Sequence, residues 1–154
     1  MITIRVQDYQ IEMAKSMRDE FDLQKTYNKF VCNHNWIGVL GEIVLNDWLV
    51  FNHKQFEWID FIKNQWTDPD FIISGKSIDL KTSYGNTLNI TRPKFDIYIS
   101  ARLSKCNNFL VVHSYLTKKE LEVLILNGRA EPMNGYYKIK QCDMNHVEEL
   151  EVFK

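Results

Sequence analysis

The spacing of apolar and polar residues predicts that the first third of the chain is helical. From Asp8 to about Phe30, apolar side chains recur among charged ones without any glycine or proline, which is typical of an amphipathic helix. From Trp36 to Phe51, the sequence is apolar on almost every face at helical length. A helix of that kind needs to be buried, so we expect other elements to pack around it.

The rest of the chain carries short runs typical of β-strands. The predicted strands are Phe56 to Asp60, Phe71 to Ser74, Lys76 to Thr82, Phe95 to Ala101 and Asn108 to Tyr115, followed by a shorter one from Tyr136 to Lys140. Ser74-Gly75 separates the second run from the third and predicts a β-hairpin. Because side chains alternate between the two faces of a strand, this hairpin separates its polar residues from its apolar ones.

Two further helices are predicted near the end of the chain. Thr117 stands in the N-cap position of a helix that runs to Leu126, and Glu120 occupies the capping-box position. A final short helix is predicted from Met144 to Val152. This order of elements predicts an α/β protein with a mixed central sheet of four or five strands and helices on both sides.

Composition is consistent with one domain covering residues 1–154. The chain has 154 residues, 45% of them hydrophobic and 25% charged, which is enough for one well-packed core. It does not open with a basic segment followed by a long apolar one, and no apolar run is long enough to cross a bilayer. We therefore expect no signal peptide, no membrane partner and a cytoplasmic location. Cys32, Cys106 and Cys142 lack Cys-x-x-Cys spacing, which argues against a disulfide framework or a zinc site.

Three polar residues of the predicted hairpin indicate a metal and water site. Asp79 and Lys81 alternate with Ile78 and Leu80, so the charged pair shares one face while the apolar pair points into a core. Asp70 opens the preceding strand. Two carboxylates on neighbouring strand ends can hold Mg²⁺ together with its waters. A lysine beside them can orient or deprotonate a water, because nearby charges and partial burial can move its pKa toward neutrality.

A third carboxylate lies upstream, in the middle of the apolar helix. Burying Glu42 there is costly unless it is paired, hydrogen-bonded or bound to a metal. Gly38 and Gly41 precede it, and a glycine inside a helix costs roughly 1 kcal/mol relative to alanine. We therefore expect a packing reason for these glycines, such as the close approach of another backbone.

Taken together, these residues resemble the PD-(D/E)xK nuclease superfamily, which has the restriction-endonuclease-like fold. The resemblance consists of Gly41-Glu42 in a helix, Pro69-Asp70 opening a strand and Asp79-Leu80-Lys81 on the next strand. These motifs occur in the order found in the family and cover roughly residues 36–83. The conjunction is more specific than the acid-x-lysine pattern alone, which a chain this rich in acids and lysines would contain by chance.

The resemblance implies an activity and a role for each matched residue. Glu42, Asp70, Asp79 and the backbone carbonyl of Leu80 would bind one or two divalent metals, and Lys81 would assist the attacking water. The implied cofactor is Mg²⁺, for which Mn²⁺ would substitute. The implied reaction is hydrolysis of DNA phosphodiester bonds by an endonuclease of the restriction, homing, junction-resolving, phage or mobile-element type.

The residues by themselves leave alternatives open. Asp68 could be the ligand in place of Asp70, and Glu57 or Asp60 could take the place of Glu42. Asp68 to Asp70 could form only a turn, since aspartate and proline are turn formers. Asp79 and Lys81 could be a solvated strand face, and Glu42 could pair with a basic residue in the core. Two other functions also stay open on the same fold, a non-catalytic nucleic-acid-binding or assembly module and an RNA-cleaving nuclease.

The net charge of -1 means that a DNA-binding role requires a local concentration of positive charge. Such a block follows the proposed site. Its basic residues are Arg92, Lys94, Arg102, Lys105, Lys118 and Lys119, against the single acid Asp96. We expect Arg92, Lys94, Arg102 and Lys105 to contact nucleic acid, although an ordinary solvated surface would have the same composition.

The partner expected from this reading is DNA, bound by a homodimer or a higher homo-oligomer. Each site cuts one strand, so duplex cleavage by a compact chain without a separate recognition domain needs two copies. The aromatic residues Trp66 and Tyr84 flank the proposed site and are candidates for substrate contact, whereas most other aromatic side chains are expected in the core.

Overall fold

A computed structural model of the protein describes residues 1–24, 36–59 and 68–154. Its helices are α1 (Asp8–Gln24), α2 (Trp36–Phe51) and α3 (Lys118–Leu126). Its strands are β1 (Ile2–Arg5), β2 (Phe56–Trp58), β3 (Phe71–Ile73), β4 (Lys76–Ser83), β5 (Thr87–Ile90), β6 (Ile97–Leu103), β7 (Phe109–Thr117), β8 (Glu131–Met133), β9 (Tyr136–Lys140) and β10 (Asn145–His146). None of the helices in these ranges has both the length and the apolar character needed to span a membrane.

The strands form two sheets. The main sheet has seven strands in the order β1-β7-β6-β4-β3-β2, with β10 also paired to β7. Within it β4 and β6 run parallel, and the other neighbours are antiparallel. A small antiparallel sheet has the order β5-β9-β8. The protein is therefore an α/β protein with a mixed sheet and helices, as predicted.

The two faces of the main sheet are covered by different elements. Helices α1 and α2 form one hydrophobic core with the apolar side chains of β3, β4, β6 and β7. Helix α3 and the small sheet form a second core around Tyr98 and Leu116. Because side chains alternate along β4, Ile78 and Leu80 belong to the first core, as expected from the sequence.

Local signals in the sequence explain several element ends. The hairpin turn at Ser74 and Gly75 has positive φ at both residues, 52° and 74°, which is the backbone of the tight turns that join antiparallel strands. The predicted capping box is confirmed: the Glu120 amide donates to Thr117 Oγ1, and Glu120 Oε2 accepts from the Thr117 amide. The predicted bounds of α2 and β9 are also confirmed.

Other elements differ from the prediction. The main sheet has seven strands instead of four or five, because β1, of four residues, and β10, of two, both pair with β7. The predicted helix from Met144 to Val152 is wrong: Asn145–His146 pairs with β7, and two 3₁₀ turns follow, at Val147–Glu149 and Glu151–Phe153. Strands β5 and β8 were not predicted, since each is short and is held by pairing with β9.

Two predicted ends lie outside the described residues. Helix α1 is described to Gln24, so its predicted continuation to Phe30 is not covered. Strand β2 ends at Trp58, and Asp60 lies in the segment 60–67, as does Trp66.

Helix α2 packs against β4 at closest range where Gly41 meets Thr82. A Cβ atom on Gly41 would lie 1.9 Å from Thr82 Oγ1 and 2.8 Å from Thr82 Cβ, distances that no side chain tolerates. Gly41 therefore permits a close approach, as expected from the sequence, but to a side chain and not to another backbone. Glu42, the next residue along the helix, is held beside β4 as a result. The expectation of a close approach is wrong for Gly38, where an added Cβ would meet nothing within 4 Å.

This contact predicts opposite effects for two substitutions in the same helix. Gly41→Ala should destabilise the protein by about 1–3 kcal/mol, because the added methyl group overpacks the contact with Thr82. Gly38→Ala is the matched control: its Cβ would meet nothing within 4 Å, so the better helix propensity of alanine should stabilise the protein by about 0.5–1 kcal/mol. Urea unfolding of both variants measures these changes. An equal effect of the two substitutions would contradict the assigned contact.

Candidate metal centre

The charges of three carboxylates interact where α2 meets the β3–β4 hairpin. Glu42 and Asp79 are each only 5% exposed, and Asp70 stands immediately before β3. The Asp70 amide donates to the Ile78 carbonyl at 2.9 Å, so strand pairing extends one residue beyond β3. This extra pair fixes Asp70 against the middle of β4.

Hydrogen bonds hold two of the acids against β4. Asp70 Oδ2 accepts from the Leu80 amide at 2.7 Å, which places this carboxylate at the backbone between Asp79 and Lys81. Lys81 Nζ donates to Asp79 Oδ1 at 2.8 Å, so the two charged residues share one face of the strand, as the alternation predicts. Asp70 therefore makes the contact with the strand that carries Asp79 and Lys81.

Several buried polar atoms around this cluster have no hydrogen-bond partner within the described part of the chain. They are Glu42 Oε2, Asp79 Oδ2, Trp58 Nε1 and Thr82 Oγ1. An unsatisfied buried polar group costs about 1–3 kcal/mol, and more when it is charged. Two of these atoms are carboxylate oxygens, which are the ligands that hard divalent cations prefer. The donor set therefore fits such a cation.

The environment raises the pKa of two of the acids. Burial raises the pKa of Glu42 well above its usual range, and the negative charges of Asp70 and Asp79 add to this effect. The Trp58 indole N–H, which lies near the Glu42 carboxylate without forming a hydrogen bond of full geometry, and the charge of Lys81 oppose it in part. Burial and the charge of Asp79 raise the pKa of Asp70 to about 7, against the attraction of Lys81 and the hydrogen bond from Leu80. Without a metal, the cluster therefore retains protons near neutral pH.

The pKa of Lys81 moves in the direction opposite to the one expected from the sequence. Burial would lower it, but attraction to Asp79, Asp70 and Glu42 outweighs that effect and raises the pKa above its ordinary value. The expectation of a pKa near neutrality is therefore wrong for the metal-free protein, in which Lys81 is an ammonium group. The side chain is 46% exposed, so solvent weakens its coupling to the acids and leaves it accessible.

The acids do not yet form a coordination sphere. Within residues 1–24, 36–59 and 68–154, no group of three His, Cys, Asp or Glu side chains is arranged so that it could hold a metal ion as it stands. One Asp79 oxygen is also occupied by Lys81. Binding a cation here therefore requires side-chain rearrangement, as is common for catalytic groups in unliganded structures.

The alternative acids can be placed in part. Glu57 is exposed on β2, opposite Ile72 of β3. It is therefore not the buried carboxylate of the cluster, a position that Glu42 occupies. Asp60 lies outside the described residues.

The sequence did not identify Trp58 and Thr82 as residues of the site. Thr82 alternates with Lys81 on β4 and meets Gly41, a contact signalled only by the glycine. Trp58 is a strand residue whose aromatic character suggested nothing more than a place in the core.

The four predicted nucleic-acid contacts lie at two ends of β6. Arg92 and Lys94 precede this strand, whereas Arg102 is near its end and Lys105 follows it. The six steps from the first to the last residue of β6 span about 20 Å at the usual rise per residue. The basic block seen in the sequence is therefore two separate groups in the fold.

No protein-family model matches this sequence, and a search of curated proteins finds no significant match. The resemblance to the PD-(D/E)xK superfamily therefore depends on the residues and contacts described above.

The raised pKa values predict that the metal-free protein loses stability as the pH rises. The folded protein keeps a proton on Asp70 at pH values where the unfolded chain, with a carboxyl pKa of about 4, has released it. This stabilisation is fully present below about pH 4 and is lost as the pH rises through about 7. With a chelator present, the free energy of unfolding should fall by a few kcal/mol between about pH 5 and pH 8.

Asp70→Asn should reduce this pH dependence, because the amide oxygen can still accept the hydrogen bond from Leu80 but does not titrate. Asp68→Asn is the matched control and should keep the pH dependence of the wild type. Urea unfolding across the pH range measures both variants. An unchanged slope for Asp70→Asn would show that this carboxyl is not protonated in the folded protein.

Proposed function

We propose that the protein is a Mg²⁺-dependent endonuclease that hydrolyses phosphodiester bonds in DNA. The observation that carries this proposal is a pair of buried carboxylate oxygens, Glu42 Oε2 and Asp79 Oδ2, that have no hydrogen-bond partner among the described residues. They lie beside Asp70 and the Lys81 ammonium group. A chain gains nothing in stability by placing two buried acids beside a third, which favours a functional reason for the arrangement.

The ligands in this proposal are Glu42, Asp70, Asp79 and the carbonyl oxygen of Leu80. All are oxygen ligands, which suits Mg²⁺ and allows Mn²⁺ to substitute. When bound, the cation supplies positive charge that neutralises a phosphate and lowers the pKa of water. The acids themselves confine this charge to one place, because Asp70 is tied to Leu80 and Glu42 is held beside β4.

Lys81 contributes in two ways in this proposal. Its ammonium group is accessible, so it can donate hydrogen bonds to a phosphate oxygen or to the attacking water. The same acids that raise its pKa also set how readily it gives up a proton. A positive charge near those acids would offset their effect and lower the pKa of Lys81. Lys81 could then release its proton to solvent more readily and, once neutral, accept one from the attacking water.

We further propose that two copies act together where both strands of a DNA molecule are cut. Each cluster can attack one strand at a time, so a two-fold dimer would place one cluster on each strand. The choice of DNA over RNA follows from the resemblance, whereas the homodimer follows from the need to cut two strands.

The test is direct incubation of the purified protein with duplex DNA, branched DNA, single-stranded DNA and RNA, with Mg²⁺ or with a chelator. The proposal expects cleavage of DNA that the chelator abolishes. Cleavage of RNA alone would identify the RNA-cleaving alternative. Metal-independent binding without any cleavage would identify the non-catalytic module.

Removal of a proposed ligand should abolish cleavage. Asp79→Ala and Asp70→Asn should each lower the cleavage rate by at least about 100-fold, because each removes negative charge that anchors the cation. Asp68→Asn is the matched control from the same turn and should be tolerated. Single-turnover cleavage assays with Mg²⁺ measure the rates. Near-normal cleavage by Asp79→Ala would contradict the assigned metal centre, and a loss confined to Asp68→Asn would mean that Asp68 is the ligand.

Substitution of Lys81 should separate metal binding from catalysis. Lys81→Ala should lose most of the activity but bind Mn²⁺ at least as tightly as the wild type, because it removes a competing positive charge and leaves every oxygen ligand in place. Calorimetric titration with Mn²⁺ measures the binding. Abolished binding would show that Lys81 organises the ligands, and unchanged activity would show that it takes no part in the reaction.

A further inference from the structure

The face of the main sheet that carries Asp79 and Lys81 continues beyond the acid cluster as far as the edge strand β1. Residues paired in register on neighbouring strands share a face. Ser83 pairs with Arg102, Arg102 with Val111, and Phe109 with Arg5. Residues two apart on one strand also share a face, which links Lys81 to Ser83 on β4 and Val111 to Phe109 on β7. Arg102, Phe109 and Arg5 therefore lie on the same face as Lys81.

One end of this face is covered and the other is open. Tyr98 and Leu116 are buried beneath α3 and the small sheet, in the second hydrophobic core. Toward the other end, Phe109 is 45% exposed and Arg5 is also exposed. Ser100 and Ser114 are buried on this face, next to the acid cluster. The accessible surface therefore runs from Lys81 and Ser83 on β4 through Arg102 and Val111 to Phe109 and Arg5.

Two loops border this open surface and are joined by hydrogen bonds. Because β4 and β6 run parallel, the loops that follow them lie at the same edge of the sheet. Arg102 Nη1 donates to Asn86 Oδ1 at 2.8 Å, and the Tyr84 hydroxyl donates to Asn107 Oδ1 at 3.0 Å. The Tyr84 side chain is 43% exposed. A cation and an aromatic ring are thereby held in place at the border of the open surface.

The charge of this surface is positive and is not neutralised by the protein. Arg5, Arg102 and Lys105 form no ion pair with any acidic side chain of the described residues. The segments 83–86 and 101–110 contain no aspartate or glutamate. Cations without acidic partners are available to bind phosphate groups.

We propose that this surface binds an unpaired nucleic-acid strand and leads it to the acid cluster. We call it the basic face and define it as Arg5, Tyr84, Arg102, Lys105 and Phe109. The proposal rests on the nuclease function proposed above and names the substrate class of that same site. The cations would bind phosphates, and the two exposed aromatic rings would stack on bases, the combination by which proteins bind single strands.

The spacing of the basic face matches a polynucleotide backbone. Lys81 pairs with Ser100, and Arg102 lies two residues further along β6. Two residues of a strand span about 6.6 Å, which is close to the distance between adjacent phosphates of one nucleic-acid strand. Arg102 is therefore placed to bind the phosphate next to the one that faces the acid cluster. In a duplex the bases are stacked on each other, so Tyr84 and Phe109 favour an unpaired strand.

The test is fluorescence anisotropy with a labelled single-stranded DNA and with its duplex, in the presence of a chelator so that no cleavage occurs. The wild type should bind the single strand more tightly than the duplex. Tyr84→Ala combined with Phe109→Ala should weaken binding to the single strand by about 10-fold or more and change duplex binding little. Urea unfolding should show that the variants remain folded, since neither side chain belongs to a hydrophobic core.

The charge contribution is tested by a second pair of substitutions. Arg5→Ala combined with Arg102→Ala should weaken single-strand binding and lower the slope of its salt dependence by about 1.4, the value for two lost phosphate contacts. Lys118→Ala combined with Lys119→Ala is the matched control, because it removes the same charge from α3, at the covered end of the face. This control should retain most of the affinity and the slope.

Two results would overturn the proposal. One is equal affinity for single strand and duplex that does not change when Tyr84 and Phe109 are replaced. The other is a greater loss on replacing Arg92 and Lys94 than on replacing Arg5 and Arg102, which would place the strand at the opposite end of β6.

Parallel cleavage assays with Mg²⁺ separate this proposal from the nuclease function. Binding through the basic face without cleavage of any substrate would retain the proposal and remove the nuclease function. If variants of the basic face bind and cleave DNA normally, the nuclease function is retained and the proposal about the basic face is removed.

Discussion

The hydrogen bond from the Leu80 amide to Asp70 holds two carboxylates side by side on one hairpin. Without it, Asp70 would be the first residue of a short strand, free to turn toward solvent. With it, the acid stays in a poorly solvated site near Asp79 and Glu42, where like charges repel strongly. Because the acids are confined in this way, the pKa values of Glu42 and Asp70 are raised, and the acids together attract Lys81. Positive charge therefore stabilises the site, and bound protons and Lys81 supply part of that charge.

The sequence predicted correctly the elements whose ends are determined by residues within or next to the element itself. The apolar run of α2 and the capping box of α3 are of this kind. Strands β1, β5 and β8 could not be predicted in the same way, because each is short and owes its conformation to a partner strand. Asn145–His146 illustrates the same limit, since pairing with β7 replaces the helix that the local pattern favours.

The candidate site shows a similar division. Strand alternation predicted that Asp79 and Lys81 share a face, and the cost of a buried acid drew attention to Glu42. The pKa direction of Lys81 could not be predicted, because it depends on how three acids and burial balance in space. Likewise, Arg92 and Arg102 are close in sequence, but β6 separates them. Proximity along a chain predicts proximity in space only where no extended strand intervenes.

The contact of Gly41 with Thr82 also restricts how the site can respond to a cation. Since the helix backbone already touches the strand, α2 has no room to slide toward β4. Any tightening of the acids must therefore come from rotation of their side chains. Collective helix shifts take microseconds to milliseconds, whereas side-chain rotations are generally much faster. A cation bound at the proposed centre would therefore be met by side-chain rotation and proton release within a frame set by α2 and β4.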